Sequence, residues 1–580
     1  MNFFDKKLLS LVDSEDQKKL PWLITIVLFS GFIEIFGLGL LIPISQIILN
    51  ENFITNNQLL QNLVSYSNLL SKDNLFEVLI SIFFISFIIK VLLLIYVNWY
   101  QNIFTINFNK KLSNYFYRKY LNKDYFSTQD LSSSEFIRNS ILEIDKLTEF
   151  LVNNLRLIIE AISFIIILLF LFYYNFFPSL AVSILVIIFS AVYYLALRSR
   201  ISKIGLTRQK FENQKIRFLQ SVFGGIKDIK MSFSEKYFLT KFKYFNSIIA
   251  DALGKNALYN ILPRYLLELF LIGILSSYLI SVRIFEVDIN TVIAALPIYL
   301  VAFARLFPSV NKIISSLQGM RLNKPALDVV FKKITEYNKL HNPSTKEFKK
   351  INFTKSILLE IKKFKYSSSS SFEIKNLKIE IKKGEKVGII GPSGSGKSTI
   401  VEILTNILYL KNGDVTLDGI STKKFINSWR NLIGYIPQKI YILDDTLKNN
   451  ICLNEKYKNL SDKYFIDILR QVGLLDWFKK LSKGLKTNLN ERGLNLSGGE
   501  IQRLGIARAL VHNPKILILD EATSSLDSFT EKEVLKNILS LKDKTVISIS
   551  HRLETLRNFD KIYLIKNGLL IKKINYLKNK

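Results

Sequence analysis

The chain has 580 residues, 49% of them hydrophobic, and its mean hydropathy of +0.21 is too high for a purely soluble multidomain protein, so part of it is expected to lie in a membrane. Its formal net charge of +31 would point to nucleic acid in a soluble protein, but it also fits a membrane protein's cytoplasmic surface. The single cysteine, Cys452, excludes an intrachain disulfide, and three histidines without a Cys/His cluster argue against a structural zinc site.

Six apolar runs, each near the ~20 residues that a helix needs to cross a bilayer, precede residue 320, and none follows it. The first run is too long for a cleaved signal peptide and contains Glu34. The six predicted spans are Pro21–Leu49, Leu75–Tyr100, Leu151–Tyr174, Ser179–Leu197, Ala257–Ile280 and Asn290–Ile314.

Lysine and arginine are concentrated before the first span and in two long connections, 101–146 and 198–255, whereas the alternate connections carry only Lys72 and Arg283. Because positive charge is retained on the cytoplasmic side, the amino terminus, both long connections and everything after the sixth span are predicted to be cytoplasmic. Much of the positive charge then faces anionic lipid, so we expect no nucleic-acid partner. A composition heavy in Lys, Asn and Ile, without an organellar targeting segment, favours a bacterial inner membrane.

Residues 1–330 are predicted to form an all-α transmembrane domain, residues 331–355 a linker and residues 356–580 an α/β domain. The linker is polar and rich in lysine, and after it short β-rich runs alternate with helical stretches, which is typical of a largely parallel sheet. The two cytoplasmic connections are too long for simple loops, so the second to fifth helices are expected to continue beyond the membrane.

A glycine-rich segment carries the first chemical motif. Residues 386–399 read KVGIIGPSGSGKST, an apolar strand that runs through a loop into a helix, which is the pattern of a phosphate-binding P-loop. Lys397 is expected to reach the β and γ phosphates of ATP, and the Ser398 hydroxyl to bind Mg²⁺. The predicted ATP-binding residues of this loop are Gly391, Ser393, Gly394, Gly396, Lys397, Ser398 and Thr399.

A second motif, ILILDE at 516–521, has four apolar positions followed by two carboxylates. A buried strand would deliver these carboxylates to the edge of the nucleotide site. Asp520 is placed to hold Mg²⁺, and Glu521 is placed to take a proton from the attacking water.

The residues around these motifs resemble the ATP-binding cassette (ABC) transporters, through LSGGE at 496–500, GYIPQ at 434–438, SSLD at 524–527 and ISISHR at 547–552. The resemblance implies an exporter-type (type IV) half transporter. Its fold would be an all-α six-helix transmembrane domain followed by a RecA-like α/β nucleotide-binding domain with a helical subdomain. It also implies ATP and Mg²⁺ as cofactors.

The resemblance assigns further roles by position. Gln438 would contact Mg²⁺ and the transmembrane domain, His551 would contact the γ-phosphate, and both would join Glu521 as catalytic residues. Tyr366 would stack on adenine. The signature residues Ser497, Gly498 and Gly499 would close on ATP held by the other copy. Asp527 would lie at the dimer interface. Residues 490–493 would sense the transmembrane helices.

One P-loop and one signature per chain predict a homodimer, because the signature completes a site on the opposite chain. Two segments interrupt the long cytoplasmic connections, NKDYFSTQD at 122–130 and GGIKDIKMSFSEKYF at 224–238. By resemblance these segments hold the coupling helices that rest on the nucleotide-binding domains. Glu500 departs from the family's commoner glutamine, and we expect a modest effect.

Three basic residues fall deep within the predicted spans: Lys90, Arg264 and Arg305. At about 2.5–3.5 kcal/mol each on insertion scales, they should face a water-filled cavity or paired acids rather than lipid. Glu34, Glu160 and Glu268 are possible partners. Two hypotheses follow, internal salt bridges that hold the bundle or a cationic cavity for a phosphate or pyrophosphate head group.

The first external connection, 50–74, has leucines at near-helical spacing, so it is predicted to form a short amphipathic helix that guides a lipid tail or packs on its neighbours. The chain resembles the PglK-type flippases of lipid-linked oligosaccharides in this helix, in the three cations and in the segment FIEIFGLGLLIP at 32–43. The predicted substrate is therefore a polyprenyl-pyrophosphate-linked oligosaccharide. The alternatives are another amphiphile, such as a lipid A precursor, a peptide or a drug, and a non-pumping ATP-gated membrane regulator.

Overall fold

The computed structural model describes residues 5–49, 74–123, 132–284, 289–339, 351–366, 372–489, 496–523, 527–541, 543–550, 552 and 554–575. Contacts between Cα atoms divide the chain into a helical unit, formed by residues 1–123 and 131–341, and a second unit that includes residues 342–580. The predicted helical domain was bounded at residue 330 and the α/β domain at residue 356.

The helical unit contains ten helices within the described ranges. They are α1 (Lys6–Leu9), α2 (Ser14–Gln17), α3 (Leu20–Leu49), α4 (Leu75–Leu121), α5 (Ser133–Ile137), α6 (Glu143–Tyr174), α7 (Phe176–Gly224), α8 (Ile226–Met231), α9 (Glu235–Ile284) and α10 (Ile289–Lys339). A single π-helical turn, Arg138–Leu142, joins α5 to α6. The long helices exceed the ~30 Å of a bilayer core, so they extend well beyond it, as the sequence predicted.

Five of the described helical stretches are long and apolar enough to cross a membrane: Ser14–Ile48, Leu75–Leu121, Ser133–Tyr174, Ser179–Gly224 and Tyr299–Asn338. They contain most of the first, second, third, fourth and sixth predicted spans. The fifth predicted span, Ala257–Ile280, lies inside α9, several of whose side chains are outside the described residues. The chain is a multi-pass membrane protein.

Apolar side chains from four parts of the chain pack together at one end of the helical unit. Leu8 of α1 and Val12 after it form one cluster with Phe116 of α4, Leu147 of α6 and Leu327 of α10. Ion pairs hold this amino-terminal segment from both sides. Lys7 Nζ lies 2.5 Å from Asp328 of α10, and Lys111 Nζ of α4 lies 2.6 Å from Asp16.

The second unit alternates strands and helices. Its strands are β1 (Ser356–Phe364), β2 (Ile374–Lys382), β3 (Lys386–Ile390), β4 (Asn412–Leu417), β5 (Ile420–Ser421), β6 (Ile433–Ile436), β7 (Ile516–Asp520), β8 (Thr545–Ser550), β9 (Lys561–Lys566) and β10 (Leu569–Asn575). Its α-helices are α11 (Lys397–Leu404), α12 (Ile426–Asn431), α13 (Leu447–Ile451), α14 (Asp462–Gln471), α15 (Leu475–Lys479), α16 (Gly498–Leu510) and α17 (Ser528–Leu539).

Two sheets organise this unit. Strands β2, β1, β4 and β5 form an antiparallel sheet, and the order in the larger sheet is β10-β9-β3-β8-β7-β6, in which every neighbouring pair except β10–β9 is parallel. All five residues of β7 are buried, as expected for a central parallel strand. The carboxyl ends of β3, β6 and β7 therefore lie at one edge of the sheet, where the predicted motifs meet. The predicted architecture, a helical membrane domain followed by a RecA-like α/β domain, is confirmed.

Candidate functional site

The phosphate loop connects β3 to α11 at the carboxyl edge of the larger sheet. Gly396 directly precedes α11 with φ of 100°, a conformation that side chains disfavour. Gly391 has a different constraint, because a Cβ there would lie 2.1 Å from the carbonyl oxygen of Ile565. The loop backbone therefore has the tight turn and the close approach that a helix-terminal phosphate site needs.

Lys397 is 5% exposed and folds back on its own loop. Its Nζ donates to the carbonyl oxygens of Gly391, at 2.9 Å, and Pro392, at 3.0 Å. Burial lowers the pKa of Lys397, whereas the carboxylates of Glu521 and Asp520 oppose that shift. Phosphate oxygens are stronger acceptors than these carbonyls. A bound phosphate would therefore replace the two carbonyl oxygens as the hydrogen-bond partner of the Lys397 ammonium.

The Asp520 carboxylate, at the end of β7, accepts hydrogen bonds from two hydroxyl groups. Ser398 Oγ donates to Asp520 Oδ1 at 3.2 Å, and the Tyr435 hydroxyl of β6 donates to Asp520 Oδ2 at 3.3 Å. Burial raises the pKa of Asp520, the two hydrogen bonds oppose the rise, and the neighbouring Glu521 adds to it. A cation beside Asp520 would offset this burial cost.

Glu521 is held in an uncommon backbone conformation. Its φ is 51°, in the left-handed region that costs a non-glycine residue about 1–3 kcal/mol. The Gln438 amide Nε2 donates to Glu521 Oε2 at 2.6 Å, and the backbone N–H of Glu521 donates to Ile549 O at 3.2 Å. The end of β7 thus directs this carboxylate at Gln438, the residue predicted to contact Mg²⁺ and the transmembrane domain.

The oxygen atoms gathered here suit a hard divalent cation. The predicted Mg²⁺ ligands are the Ser398 hydroxyl, the Asp520 carboxylate and the Gln438 side chain. Ser398 contacts Asp520, and Gln438 contacts Glu521, the residue after it in the chain. Mg²⁺ is usually bound by one or two protein oxygen ligands together with substrate phosphates. The residues present therefore fit this ion.

The signature segment forms the start of helix α16. Ser497 Oγ accepts from the backbone N–H of Glu500 at 3.2 Å, and Glu500 Oε2 accepts from the backbone N–H of Ser497 at 2.7 Å. This reciprocal pair is a complete capping box. Glu500, the departure from the family pattern, thus fixes the helix terminus that begins with Gly498 and Gly499.

Two more predicted nucleotide residues are described. The Tyr366 hydroxyl lies 2.7 Å from Thr399 Oγ1 of the phosphate loop, so the residue predicted to stack on adenine does lie beside this loop. Asp527 caps helix α17 by accepting from the backbone N–H groups of Thr530 and Phe529, and these hydrogen bonds lower its pKa. Its predicted role at a dimer interface stays a prediction.

Several predicted residues fall elsewhere. Four predicted features lie outside the described residues. They are His551, the segment that contains residues 490–493, most of the first coupling segment and the external amphipathic helix. The second coupling segment contains α8, which separates α7 from α9. Its last residue, Met231, and Phe233 just beyond it are 80% and 86% exposed.

The helical unit contains a buried charge cluster on three helices. Lys90 of α4, whose side chain is 2% exposed, forms an ion pair with Glu34 of α3. Arg305 of α10 reaches the same carboxylate, with its Nε 3.4 Å from Glu34 Oε1. The Phe87 ring contacts both cations, its centroid 5.3 Å from Lys90 Nζ and 5.9 Å from Arg305 Cζ. We call Glu34, Lys90, Arg305 and Phe87 the charge cluster.

A second ion pair joins α6 to α10. Glu160 accepts from Lys312 Nζ at 2.7 Å and from Ser309 Oγ at 2.8 Å. Arg264 of α9 pairs on its own helix, at 3.0 Å, with Glu268, one of the possible partners named from the sequence. Because that partner lies one turn away, Arg264 is satisfied on the helix surface, where its side chain is 69% exposed.

Sequence reasoning missed two contacts at these sites. Tyr435 was not singled out, although its place three residues before Gln438 at the end of a strand was a usable signal. The capping box was also readable, since Ser497 and Glu500 have the S-x-x-E spacing. Nothing in the sequence selected Glu34 over other acids as the partner of both Lys90 and Arg305.

The phosphate loop, the acidic strand end and the capped signature helix, in a chain that also carries membrane-spanning helices, define a membrane-bound P-loop ATPase. The family model described as ABC transporter matches residues 374–524. The chain is 30% identical over 419 residues, 70% of each chain, to an ATP-dependent lipid A-core flippase of Wigglesworthia glossinidia brevipalpis. The chain belongs to the ABC transporter family, as an exporter-type half transporter.

Other similarities are shorter in sequence or limited to the fold. Identity is 40% over 207 residues, 35% of each chain, to an ATP-dependent lipid A-core flippase of Pasteurella multocida. It is 39% over 211 residues to a leukotoxin translocation ATP-binding protein of Mannheimia glucosida, covering 36% of this chain and 30% of that one. These two alignments span about a third of the relatives. A bacterial Atm1-family ABC exporter with ATP bound has the same fold, with a TM-score of 0.76 at 19% identity, covering 97% of this chain and 96% of the exporter.

Proposed function

We propose that this chain hydrolyses ATP and, as a dimer of two copies, moves an amphiphile with an anionic head group across a bacterial inner membrane. The observation that carries the proposal is the Gln438–Glu521 hydrogen bond at the end of β7, beside the Ser398–Asp520 pair. These pairs bring together a predicted base and the predicted Mg²⁺ ligands next to the phosphate loop.

In this proposal each side chain has one task in hydrolysis. The Glu521 carboxylate accepts a proton from the attacking water, and the Gln438 amide orients that carboxylate. Lys397 leaves the loop carbonyls and binds the β and γ phosphates. Ser398 and Asp520 would hold Mg²⁺, which would offset negative charge on the phosphates.

Two copies are needed because the signature helix completes a site on the opposite chain. Ser497, Gly498 and Gly499 would close on the γ-phosphate held by the partner, with Asp527 and His551 at the interface. ATP then acts as a ligand with higher affinity for the closed dimer, and its hydrolysis removes that bias. Helix α8, which ends in the exposed Met231 and is followed by the exposed Phe233, would transmit the change to the membrane helices.

The charge cluster supports an anionic head group. Arg305 is 39% exposed in the single chain while its Nε contacts Glu34, so part of the guanidinium stays accessible and can bind phosphate in a forked geometry. Our first candidate substrate is a polyprenyl-pyrophosphate-linked oligosaccharide, with the lipid tail at the external connection, 50–74. Lys90, predicted for the same cavity, is buried in this conformation and would contribute by holding Glu34.

The second candidate is a lipid A precursor. Relatives named as lipid A-core flippases favour it, one of them over 70% of the chain. Both candidates carry phosphate next to sugar, so the cluster suits either. A non-pumping regulator would show the same nucleotide site but no directional movement of lipid.

The test is ATPase activity of the full chain in lipid nanodiscs, with a polyprenyl-pyrophosphate oligosaccharide in one arm and a phosphorylated lipid A precursor in the other. We expect one of the two to stimulate the wild type, and Arg305→Ala to lose the stimulation while it keeps its basal rate. A basal rate that responds to neither lipid would overturn the substrate part. Absence of Mg²⁺-dependent ATP hydrolysis would overturn the proposal as a whole.

A further inference from the structure

Two basic residues of α10 each contact a carboxylate from another helix. Arg305 contacts Glu34 of α3, and Lys312 contacts Glu160 of α6. These two cations are seven residues apart, which places them on the same face of α10 and about 10 Å apart along its axis. Ser309 lies between them and also donates to Glu160, at 2.8 Å.

Both cations keep accessible surface in the single chain despite these pairs. The side chain of Arg305 is 39% exposed and that of Lys312 is 54% exposed, whereas the carboxylates of Glu34 and Glu160 are 7% and 12% exposed. A ligand on this face would therefore meet the cations first, with the carboxylates behind them. Each carboxylate competes with any anion that approaches its cation.

The charges on this face nearly balance. Three cations, Lys90, Arg305 and Lys312, stand against two carboxylates, Glu34 and Glu160. A single negative charge can replace only one of the two carboxylates, Glu34 at Arg305 or Glu160 at Lys312. A ligand that carries two or more charges over several ångströms can engage both Arg305 and Lys312 and weaken both internal pairs.

We infer that Glu34 and Glu160 are specificity-determining residues: they act as internal competitors that keep monoanionic phospholipids off Arg305 and Lys312 and admit head groups with several negative charges. The inference rests on the proposed function and deepens it. Removal of either carboxylate strengthens anion binding and relaxes the choice of anion, which is opposite to the loss expected on removal of a residue that only supports the bundle.

The local packing positions Glu34 for this role. Gly37, one turn after Glu34, allows α3 to approach α4 closely, since a Cβ there would lie 3.0 Å from Ser86 Oγ and 3.3 Å from the Phe87 ring. Phe87 in turn contacts both Lys90 and Arg305. The close approach therefore sets the distance between the carboxylate and its two cations.

The test titrates two lipids into nanodiscs of otherwise zwitterionic phospholipid and follows the ATPase rate of the full chain. One lipid is polyprenyl pyrophosphate and the other is monoanionic phosphatidylglycerol. The variants are Glu160→Gln, Glu34→Gln and Glu34→Gln/Lys90→Met, the last of which removes the buried lysine along with its partner. Glu77→Gln, an exposed carboxylate of α4, controls for the change in net charge.

We expect Glu160→Gln and Glu34→Gln/Lys90→Met each to lower the half-maximal polyprenyl pyrophosphate concentration at least about fivefold, and phosphatidylglycerol to begin to stimulate both. Glu77→Gln should match the wild type for both lipids. Unchanged half-maximal concentrations in properly folded variants, with the wild type still stimulated, would overturn the inference and leave the proposed function standing. A wild type and variants that respond to neither lipid, while a phosphorylated lipid A precursor also fails, would overturn the substrate part of the proposed function, on which this inference rests.

Discussion

The nucleotide site and the charge cluster are built in opposite ways from the same chain. The nucleotide site gathers short contiguous segments at the carboxyl ends of strands in one parallel sheet, so the strand order brings residues together that are far apart in the sequence. The charge cluster takes Glu34 from α3, Lys90 and Phe87 from α4, and Arg305 from α10, and it depends on how these helices rotate and approach. The first site should therefore tolerate changes in packing far from it, and the second should not.

The largest effect that this comparison predicts is at the nucleotide site. Glu521→Gln keeps the shape of the side chain and its contact with Gln438 but removes the proton acceptor. We expect ATP hydrolysis to fall at least about a hundredfold, while equilibrium binding of Mg²⁺-ATP is retained. Phosphate release and nucleotide binding, measured on one preparation, check both parts. Hydrolysis at the wild-type rate would contradict the assignment.

The second prediction concerns the buried pair of the charge cluster. Lys90→Met leaves part of the Glu34 charge uncompensated in a buried position, at a cost of about 3 kcal/mol. We expect a clearly lower thermal unfolding midpoint for this variant, and Glu34→Gln/Lys90→Met should recover much of the loss, because no unpaired charge remains. If the double variant is less stable than Lys90→Met, the pair holds the bundle in a way that this account does not include.

A smaller effect tests the close approach of α3 and α4. Gly37→Ala places a Cβ against Ser86 and Phe87, and overpacking of this kind costs about 1–3 kcal/mol. The matched control is Gly39→Ala, where a Cβ would meet nothing within 4 Å. We expect a lower unfolding midpoint for the first and not for the second. Equal midpoints would show that the helices can separate without loss.

The smallest prediction returns to the nucleotide site. Glu500→Gln keeps the capping box of α16, because glutamine can also accept from the backbone N–H of Ser497. We expect the ATPase rate to stay within about twofold of the wild type, whereas Glu500→Ala should lose stability by about 1 kcal/mol. Steady-state kinetics and thermal unfolding of both variants check this. A large loss of rate in Glu500→Gln alone would show that the carboxylate acts directly on the nucleotide.

The contrast between the two sites also explains what could be predicted from the sequence. The meeting of Ser398 with Asp520, and of Gln438 with Glu521, follows from strand order, since each motif ends a strand of one parallel sheet. The partners of the cations in the membrane spans do not follow in the same way. Hydropathy locates a span but not its rotation, so the sequence could place three cations in the membrane without showing that Lys90 and Arg305 share the Glu34 carboxylate.

The central claim is that ATP hydrolysis drives directional movement of a lipid with several negative charges. The direct test is a proteoliposome assay in which ATP is supplied on the side of the nucleotide-binding unit and a fluorescent polyprenyl-pyrophosphate glycolipid is followed between leaflets. We predict ATP-dependent movement by the wild type and none by Glu521→Gln, with a neutral glycolipid left in place. Equal movement with and without ATP, or equal movement of the neutral lipid, would contradict the account.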